Sequence, residues 1–238
     1  MSISIVIPCY NSDRYILKNI EKLRKQLKKI NHKYEIILID DCSDDNTFEI
    51  LKRASSRYKN IRAYKNYSNQ GKSYSLIYGI KKTKFKKIII IDSDLPYFSK
   101  LIIVIKKLDY YDFVLINRGH AKSKNIGKEF SSYRTIRSLI GYLVNLIIRI
   151  SFSIKIRDTQ AGLKGFTKIK NFSNFIFFSK RFFFDLELLL LYISKKKKIF
   201  SIPVSFKVPI DSSIKILDLK KNFEVIKELI IICLKKNK

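Results

Sequence analysis

At 238 residues the chain is long enough for one sizeable hydrophobic core, and no second independent domain is expected. Its 49 Lys and Arg against 20 Asp and Glu leave a formal charge of +29, so the partners it attracts are anions: nucleic acid, anionic lipid headgroups or phosphorylated substrates. Cys9, Cys42 and Cys233 lie far apart with no CxxC or Cys/His cluster, which excludes a disulfide framework and a zinc site and fits a reducing compartment.

The chain begins directly in the strand-like SISIVIP, without a basic region and apolar core ahead of it, so no secretion signal is expected. Ser2 to Pro8 predicts a first strand that Pro8 ends, and Cys9-Tyr10-Asn11-Ser12 a loop into a helix capped near Ser12 or Asp13. Tyr15 to Ile30 carries apolar residues at helical spacing with Lys and Arg on the other face. Glu35 to Thr47, EIILIDDCSDDNT, reads as a buried strand, an acidic turn and a helix start. A helix over about Phe48 to Tyr58 and a short strand near Ile61 to Tyr64 follow.

Asn69-Gln70-Gly71-Lys72 opens the next helix, whose N-terminal amides and Lys72 suit an anion; an ordinary loop-to-helix turn explains the segment equally well. Ile88 to Asp92 is then a strand apolar on both faces, and the rhythm predicts a parallel doubly wound sheet. Asp92 and Asp94 sit where that strand runs out, the place where open α/β sheets bind ligands. Two hard oxygen donors one residue apart suit a divalent cation with positions open for phosphate. An Asp-Ser-Asp triplet after a strand also serves as a plain turn.

SIVIPCYNSD, IILIDDCSDDNT, NQGKSYSLIYGI and IIIIDSDL follow one another, and LINR (Leu115 to Arg118), Tyr133-Arg134, RDTQAGLKGF (Arg157 to Phe166), FFFDLELL (Phe182 to Leu189) and IPVSF (Ile202 to Phe206) continue the series. In order and spacing these segments resemble the family 2 glycosyltransferases of GT-A fold, in the polyprenyl-phosphate (dolichol-phosphate) hexosyltransferase branch, over roughly Ser2 to Lys215.

The resemblance implies an α/β, Rossmann-like, mostly parallel central sheet flanked by helices. It also implies a nucleotide-sugar-binding half over about 1–118, an acceptor half over 119–215, and a terminal amphipathic helix over 216–238. Pro8, Tyr10 and Asp13 match the loop that packs the nucleotide, Asp41 the residue that hydrogen-bonds the nucleobase, and Asp40 one that holds the strand end. Asp92, Ser93 and Asp94 match the DxD segment that binds Mg2+ or Mn2+, with Asp94 the surer ligand. Arg118 and Arg134 match arginines near the phosphates, a task that suits arginine's fork of donors, and Lys215 a diphosphate contact. Asp158 and Gln160 match the loop over the sugar, and Asp185 with Glu187 an acidic pair near it, for which a structural role is favoured.

For a hydroxyl acceptor Asp158 is the candidate general base. A lipid phosphate, with a second pKa near 6, is already largely dianionic, and Asp158 would then position it. Beyond IPVSF the chain departs from the mannosyl members: Pro209, Ser212, Ile214 and Lys215 occupy the aligned positions and only the lysine matches, which leaves glucose, N-acetylhexosamine or another sugar open.

The expected activity is inverting transfer of a hexose from a GDP- or UDP-sugar to a polyprenyl phosphate, with transfer to a saccharide hydroxyl in surface-polysaccharide synthesis as the alternative. A non-catalytic relative that keeps the fold is a third reading. A nucleic-acid-binding protein would explain the charge but leaves the Asp40, Asp41, Asp92 and Asp94 cluster facing phosphate. RTIRSLIGYLVNLIIRISFSI, within 134–154, has the apolar breadth and flanking arginines of a helix lying in a membrane interface, and a buried core helix reads the same. Its uncharged run, Ser138 to Ile148, falls far short of the roughly 20 residues that span a bilayer, so no crossing is expected. Lys195 to Lys198 add attraction to anionic lipid. Leu217 to Leu234 predicts the last amphipathic helix, and the expected location is peripheral, on the cytoplasmic face of the membrane, with a membrane-protein partner or a homo-oligomer.

Overall fold

The computed structural model describes residues 2–30, 32–126, 144–206 and 227–234, and the structural statements below concern these. Nine strands form: β1 (Ser2–Cys9), β2 (Lys33–Asp40), β3 (Ile61–Lys65), β4 (Lys87–Ile91), β5 (Phe113–Ile116), β6 (Lys124–Asn125), β7 (Leu163–Thr167), β8 (Ile199–Ile202) and β9 (Ser205–Phe206). Seven of them make the central sheet in the order β3-β2-β1-β4-β7-β5-β8, and β6 pairs with β9 apart from it. The helices are α1 (Ile16–Lys28), α2 (Thr47–Arg57), α3 (Lys72–Lys81), α4 (Leu101–Lys107), α5 (residues 144–152), α6 (Phe184–Ser194) and α7 (residues 227–234).

Continuous apolar strands are what a sheet covered on both faces requires, and here alternate residues enter two separate cores. Ile5, Ile7, Ile36, Leu38, Ile89 and Ile91 face α1, α2 and α4, through Ile20, Leu23, Leu51, Val104 and their neighbours. Val6, Ile37, Ile39, Ile88 and Ile90 face α3, α5, α6 and α7, through Leu76, Ile148, Leu188 and Leu229. Helix α6 is apolar nearly all round, as a helix enclosed on several sides must be.

Two expectations are corrected. Pro8 does not end the first strand: β1 runs on to Cys9, with Pro8 opposite Ile39. The β1–β4 ladder stops at Val6 and Ile90, so no neighbour on that side calls for the amide proton that proline lacks. Helix α1 has no side-chain cap from Ser12 or Asp13; it starts at Ile16, after a turn in which the amides of Tyr15 and Ile16 donate to the Ser12 carbonyl at 3.1 and 3.0 Å. The sheet is mostly parallel, as expected; β7 runs antiparallel to β4 on one side and to β5 on the other. That reversal sets the start of β7 beside the carboxyl end of β4, with Leu163 opposite Ile91.

Of the stretch expected as an interfacial helix, residues 144–154 are described, helical over 144–152; they bury Ile148, Phe152 and Ile154 in the second core and leave Ile147 and Ile150 exposed. Of the terminal helix, residues 227–234 are described and helical. Among the described residues no helix is long and apolar enough to cross a membrane.

Candidate functional site

The carboxyl ends of β1, β2 and β4 carry loops tied to one another by hydrogen bonds. The amides of Asn11, Ser12 and Asp13 donate to Ser43 Oγ, Thr47 Oγ1 and Asp45 Oδ2 at 3.0, 2.7 and 3.1 Å, locking the first loop onto the second. Tyr10 is exposed at its rim and donates weakly to Asp44, at 3.4 Å. Asp40 is fully buried and accepts from the amide and hydroxyl of Ser43, closing the end of β2. Asp41 reaches the other way: one oxygen accepts from Asn66 Nδ2 at 2.7 Å and the Gln70 amide at 2.9 Å, the other from the Gly71 amide at 2.8 Å. The three donors fix the turn into α3, where Gly71 has φ +91°, a conformation that glycine adopts without steric cost.

The first residue of α3 is Lys72, and its ammonium lies 2.6 Å from Asp92 Oδ1. Asp92 is held at the end of β4 by its own amide, which donates to the Gly162 carbonyl at 3.0 Å. A Cβ on Gly162 would lie 2.3 Å from Asp92 Oδ2, so the carboxylate packs directly on this glycine. Asp94 is exposed; partial burial and the charge of Asp92 push its carboxyl above the usual range, with Lys72 opposing. Behind Lys72 sits a buried pair the sequence reading did not single out. Lys164, 1% exposed on β7, contacts Asp185 at the start of α6 at 2.8 Å and donates to the Ala161 carbonyl at 2.8 Å. The signal was present: a lysine inside an otherwise apolar strand, GLKGF, demands a partner.

Between the two aspartates, Ser93 is clamped by α1. Its carbonyl accepts from Asn19 Nδ2 at 2.8 Å, and its hydroxyl lies 3.2 Å from both Ser12 Oγ and the Tyr15 hydroxyl. Asn19 and Tyr15 sit one helical turn apart, which is why the start of this helix reaches the triplet twice; neither was named as a site residue from sequence.

Asp158 pairs with Arg118, not Arg157. Arg118 Nε and Nη2 donate to its two oxygens at 2.6 and 2.8 Å, and the amides of Arg118 and Gln160 add bonds at 3.1 Å each. Burial alone would raise the Asp158 carboxyl, but Arg118 outweighs it and holds the group below the usual range. Burial raises the phenol of Tyr97, which has φ +56°; Arg118 opposes, and the charges of Asp158 and Asp92 add to the rise.

Glu187 turns away from this cluster and accepts the amides of Phe178 and Ser179 at 3.0 Å. The N-terminal amides of α3 are not free for an anion: those of Ser73 and Tyr74 donate to the carbonyls of Arg181 and Lys180 at 3.3 and 3.0 Å, because the loop ahead of α6 crosses over them. Arg134 and Lys215 lie outside the described residues. The structure therefore pairs Lys72 with Asp92, Lys164 with Asp185 and Arg118 with Asp158, with Ser93 clamped within the triplet.

Comparison with known proteins places this geometry. The model of the family described as glycosyl transferase family 2 matches residues 4–178. A dolichyl-phosphate beta-glucosyltransferase of Trichomonas vaginalis is 28% identical over 233 residues, covering 92% of this chain and 70% of that protein. The dolichyl-phosphate beta-glucosyltransferase of Homo sapiens is 27% identical over 221 residues (85% of this chain, 65% of that protein), and the dolichol-phosphate mannosyltransferase of Pyrococcus furiosus is 26% identical over 171 residues (71% and 46%). Among solved structures, glucosyl-3-phosphoglycerate synthase from Mycobacterium tuberculosis in complex with Mn2+, UDP-glucose and phosphoglyceric acid superposes with a TM-score of 0.67 at 16% identity, over 98% of this chain and 79% of that one. Mannosyl-3-phosphoglycerate synthase from Rubrobacter xylanophilus gives a TM-score of 0.71 at 14% identity, over 100% and 75%. With the sheet order, the paired aspartates ending β4 and a family match over most of its length, the chain belongs to glycosyl transferase family 2 and is a glycosyltransferase of GT-A fold.

Proposed function

We propose that the protein transfers a hexose, with inversion, from a nucleoside diphosphate sugar to a polyprenyl phosphate. The observation that carries the choice of acceptor is the Arg118–Asp158 pair. A carboxylate gripped by two guanidinium nitrogens and held below its usual range is a poor general base, and a hydroxyl acceptor needs one. A phosphate acceptor, already dianionic at neutral pH, needs none. The relatives named as acting on dolichyl phosphate agree with this reading.

Asp92 and Asp94 fit a divalent cation: two carboxylates one residue apart repel each other, and both are hard oxygen donors. Among the described residues no third His, Cys, Asp or Glu joins them, so phosphate oxygens and water would complete the set. Mg2+ or Mn2+ there would supply Lewis-acid neutralisation of the departing diphosphate. The chain's own part is to hold that place: Asp41 fixes the turn that presents Lys72, Gly162 and Asn19 fix the aspartate-bearing turn, and Asp158 with Arg118 shapes the acceptor side. The exposed Ile147 and Ile150 on α5 and the exposed Lys195 to Lys198 support peripheral attachment to an anionic membrane on its cytoplasmic face.

The test is incubation with radiolabelled UDP-glucose or GDP-mannose, Mn2+ and a polyprenyl phosphate, followed by organic extraction. Label in the solvent phase that mild acid releases supports the proposal; label only in a water-soluble saccharide overturns it. If Asp158 positions the acceptor, Asp158→Asn lowers kcat/KM without changing the shape of its pH profile between about pH 5 and 8, since a carboxyl whose pKa is lowered stays ionised throughout that window. Loss of an acid limb in that variant would make Asp158 the base after all.

A further inference from the structure

Lys72 has a fixed backbone and a free tip. The preceding turn is pinned by Asp41, and the next two amides are held by the carbonyls of Arg181 and Lys180. The loop carrying those carbonyls is in turn held by Glu228 on α7, which accepts the amides of Lys180, Arg181 and Phe182 at 2.9, 2.7 and 3.0 Å. The side chain, by contrast, keeps 38% of its surface exposed, and four rotatable bonds let the ammonium move.

Charges alternate along this part of the site: Asp94, Asp92, Lys72, Asp185, Lys164. The Lys72 ammonium sits on Asp92, and the start of α6, which carries Asp185, meets the start of α3, the Phe184 amide donating to Ser73 Oγ at 3.3 Å. Asp185 cannot leave, because Lys164 holds it in a fully buried pair. Asp92 cannot leave either, packed on Gly162 and anchored through its amide. Only Lys72 is able to change partners. The oxygen it occupies, Asp92 Oδ1, has the Lys72 ammonium as its close neighbour and is one a cation would use.

We propose that Lys72 is a built-in counter-ion of the cation site, neutralising Asp92 before the donor arrives, then yielding Asp92 Oδ1 to the divalent cation and turning to Asp185 and the donor diphosphate. The proposal rests on reading Asp92 and Asp94 as cation ligands. Its consequence is coupling: a cation arriving alone must displace Lys72 from its carboxylate, whereas a cation arriving with a diphosphate offers the ammonium a new anionic partner. By linkage each ligand then tightens the other. Such a site stays closed to free cation and opens only to the loaded donor.

The test is Mn2+ binding to the full chain, read from the electron paramagnetic resonance signal of free Mn2+, with and without UDP or GDP. For the unaltered protein, nucleotide should tighten Mn2+ by about tenfold or more, within the range usual for coupled sites. Lys72→Met should bind Mn2+ alone about tenfold more tightly than the unaltered protein and lose most of the nucleotide effect, while Lys72→Arg, which keeps the charge, should retain both features. Lys72→Gln serves as the second neutral variant, and circular dichroism checks that each is folded. If both neutral variants are folded and bind Mn2+ alone no better than the unaltered protein, Lys72 is not the counter-ion. If Asp94→Asn leaves Mn2+ binding intact, the cation lies elsewhere and the assignment of the aspartate pair falls with it. Loss of binding in Asp94→Asn together with no gain in the neutral Lys72 variants overturns the counter-ion alone.

Discussion

Asp94→Asn is expected to lower kcat/KM for sugar transfer by about a thousandfold or more, while leaving the melting temperature unchanged or slightly higher. The two halves of this expectation come from different physics. In the transition state a diphosphate acquires charge as the glycosidic bond breaks, and a cation held on its oxygens contributes several kcal/mol, with each 1.36 kcal/mol worth about tenfold in rate. Asparagine keeps the shape of the turn but removes one anionic oxygen from a set of only two carboxylates among the described residues. Stability does not follow activity, because Asp94 is exposed and its charge is opposed by that of Asp92; the neutral side chain relieves this repulsion. Initial rates with labelled donor at saturating Mn2+, alongside a thermal melt, measure both. A loss of less than tenfold would mean that the pair is only a turn.

Lys164→Met should instead act on stability, at a cost of about 3–5 kcal/mol, the range for removing one partner of a buried ion pair. The substitution strands the Asp185 carboxylate, 4% exposed, whose contact with Lys164 spans 2.8 Å. Replacing both partners with apolar residues, Lys164→Met with Asp185→Leu, should recover much of the loss, since no unpaired charge then remains inside. Urea unfolding of the two variants against the unaltered chain is the measurement, read from midpoints at equal slope. A single variant as stable as the starting protein would show that the pair is not buried as described. The double variant should also lower activity, because the start of α6, which carries Asp185, is hydrogen-bonded to the start of α3, which carries Lys72.

Much of the site was legible because its residues announce themselves by chemistry. Asp92 and Asp94 follow four isoleucines, and a carboxylate at the end of so apolar a strand has no reason in the core to be there. Lys72 stood out at the junction of a turn with a helix, whereas Asp41 was named through the family resemblance. What they touch was not legible. Asp41 accepts three hydrogen bonds from a segment 25 to 30 residues further along, and Asp158 pairs with an arginine 40 residues back, not with its neighbour Arg157. Tyr15 was read only as the start of a helix and Asn19 not at all; the approach of the turn after β4 gives both a task.

By itself the sequence determined the α/β class, the alternation of β1 to β4 with their helices, and the position of the paired aspartates, because these depend on the spacing of apolar residues along a short stretch of chain. Tertiary structure decided the rest. The antiparallel entry of β7 between β4 and β5 brings Gly162 against Asp92 and Lys164 beneath the site; the crossing of the loop ahead of α6 closes the amides of α3. Both depend on contacts between segments roughly a hundred residues or fewer apart whose own local patterns are indifferent to one another. A lysine buried beside an aspartate is also tolerable only when the two meet, so the energy that makes Lys164 acceptable appears only after the strand has docked.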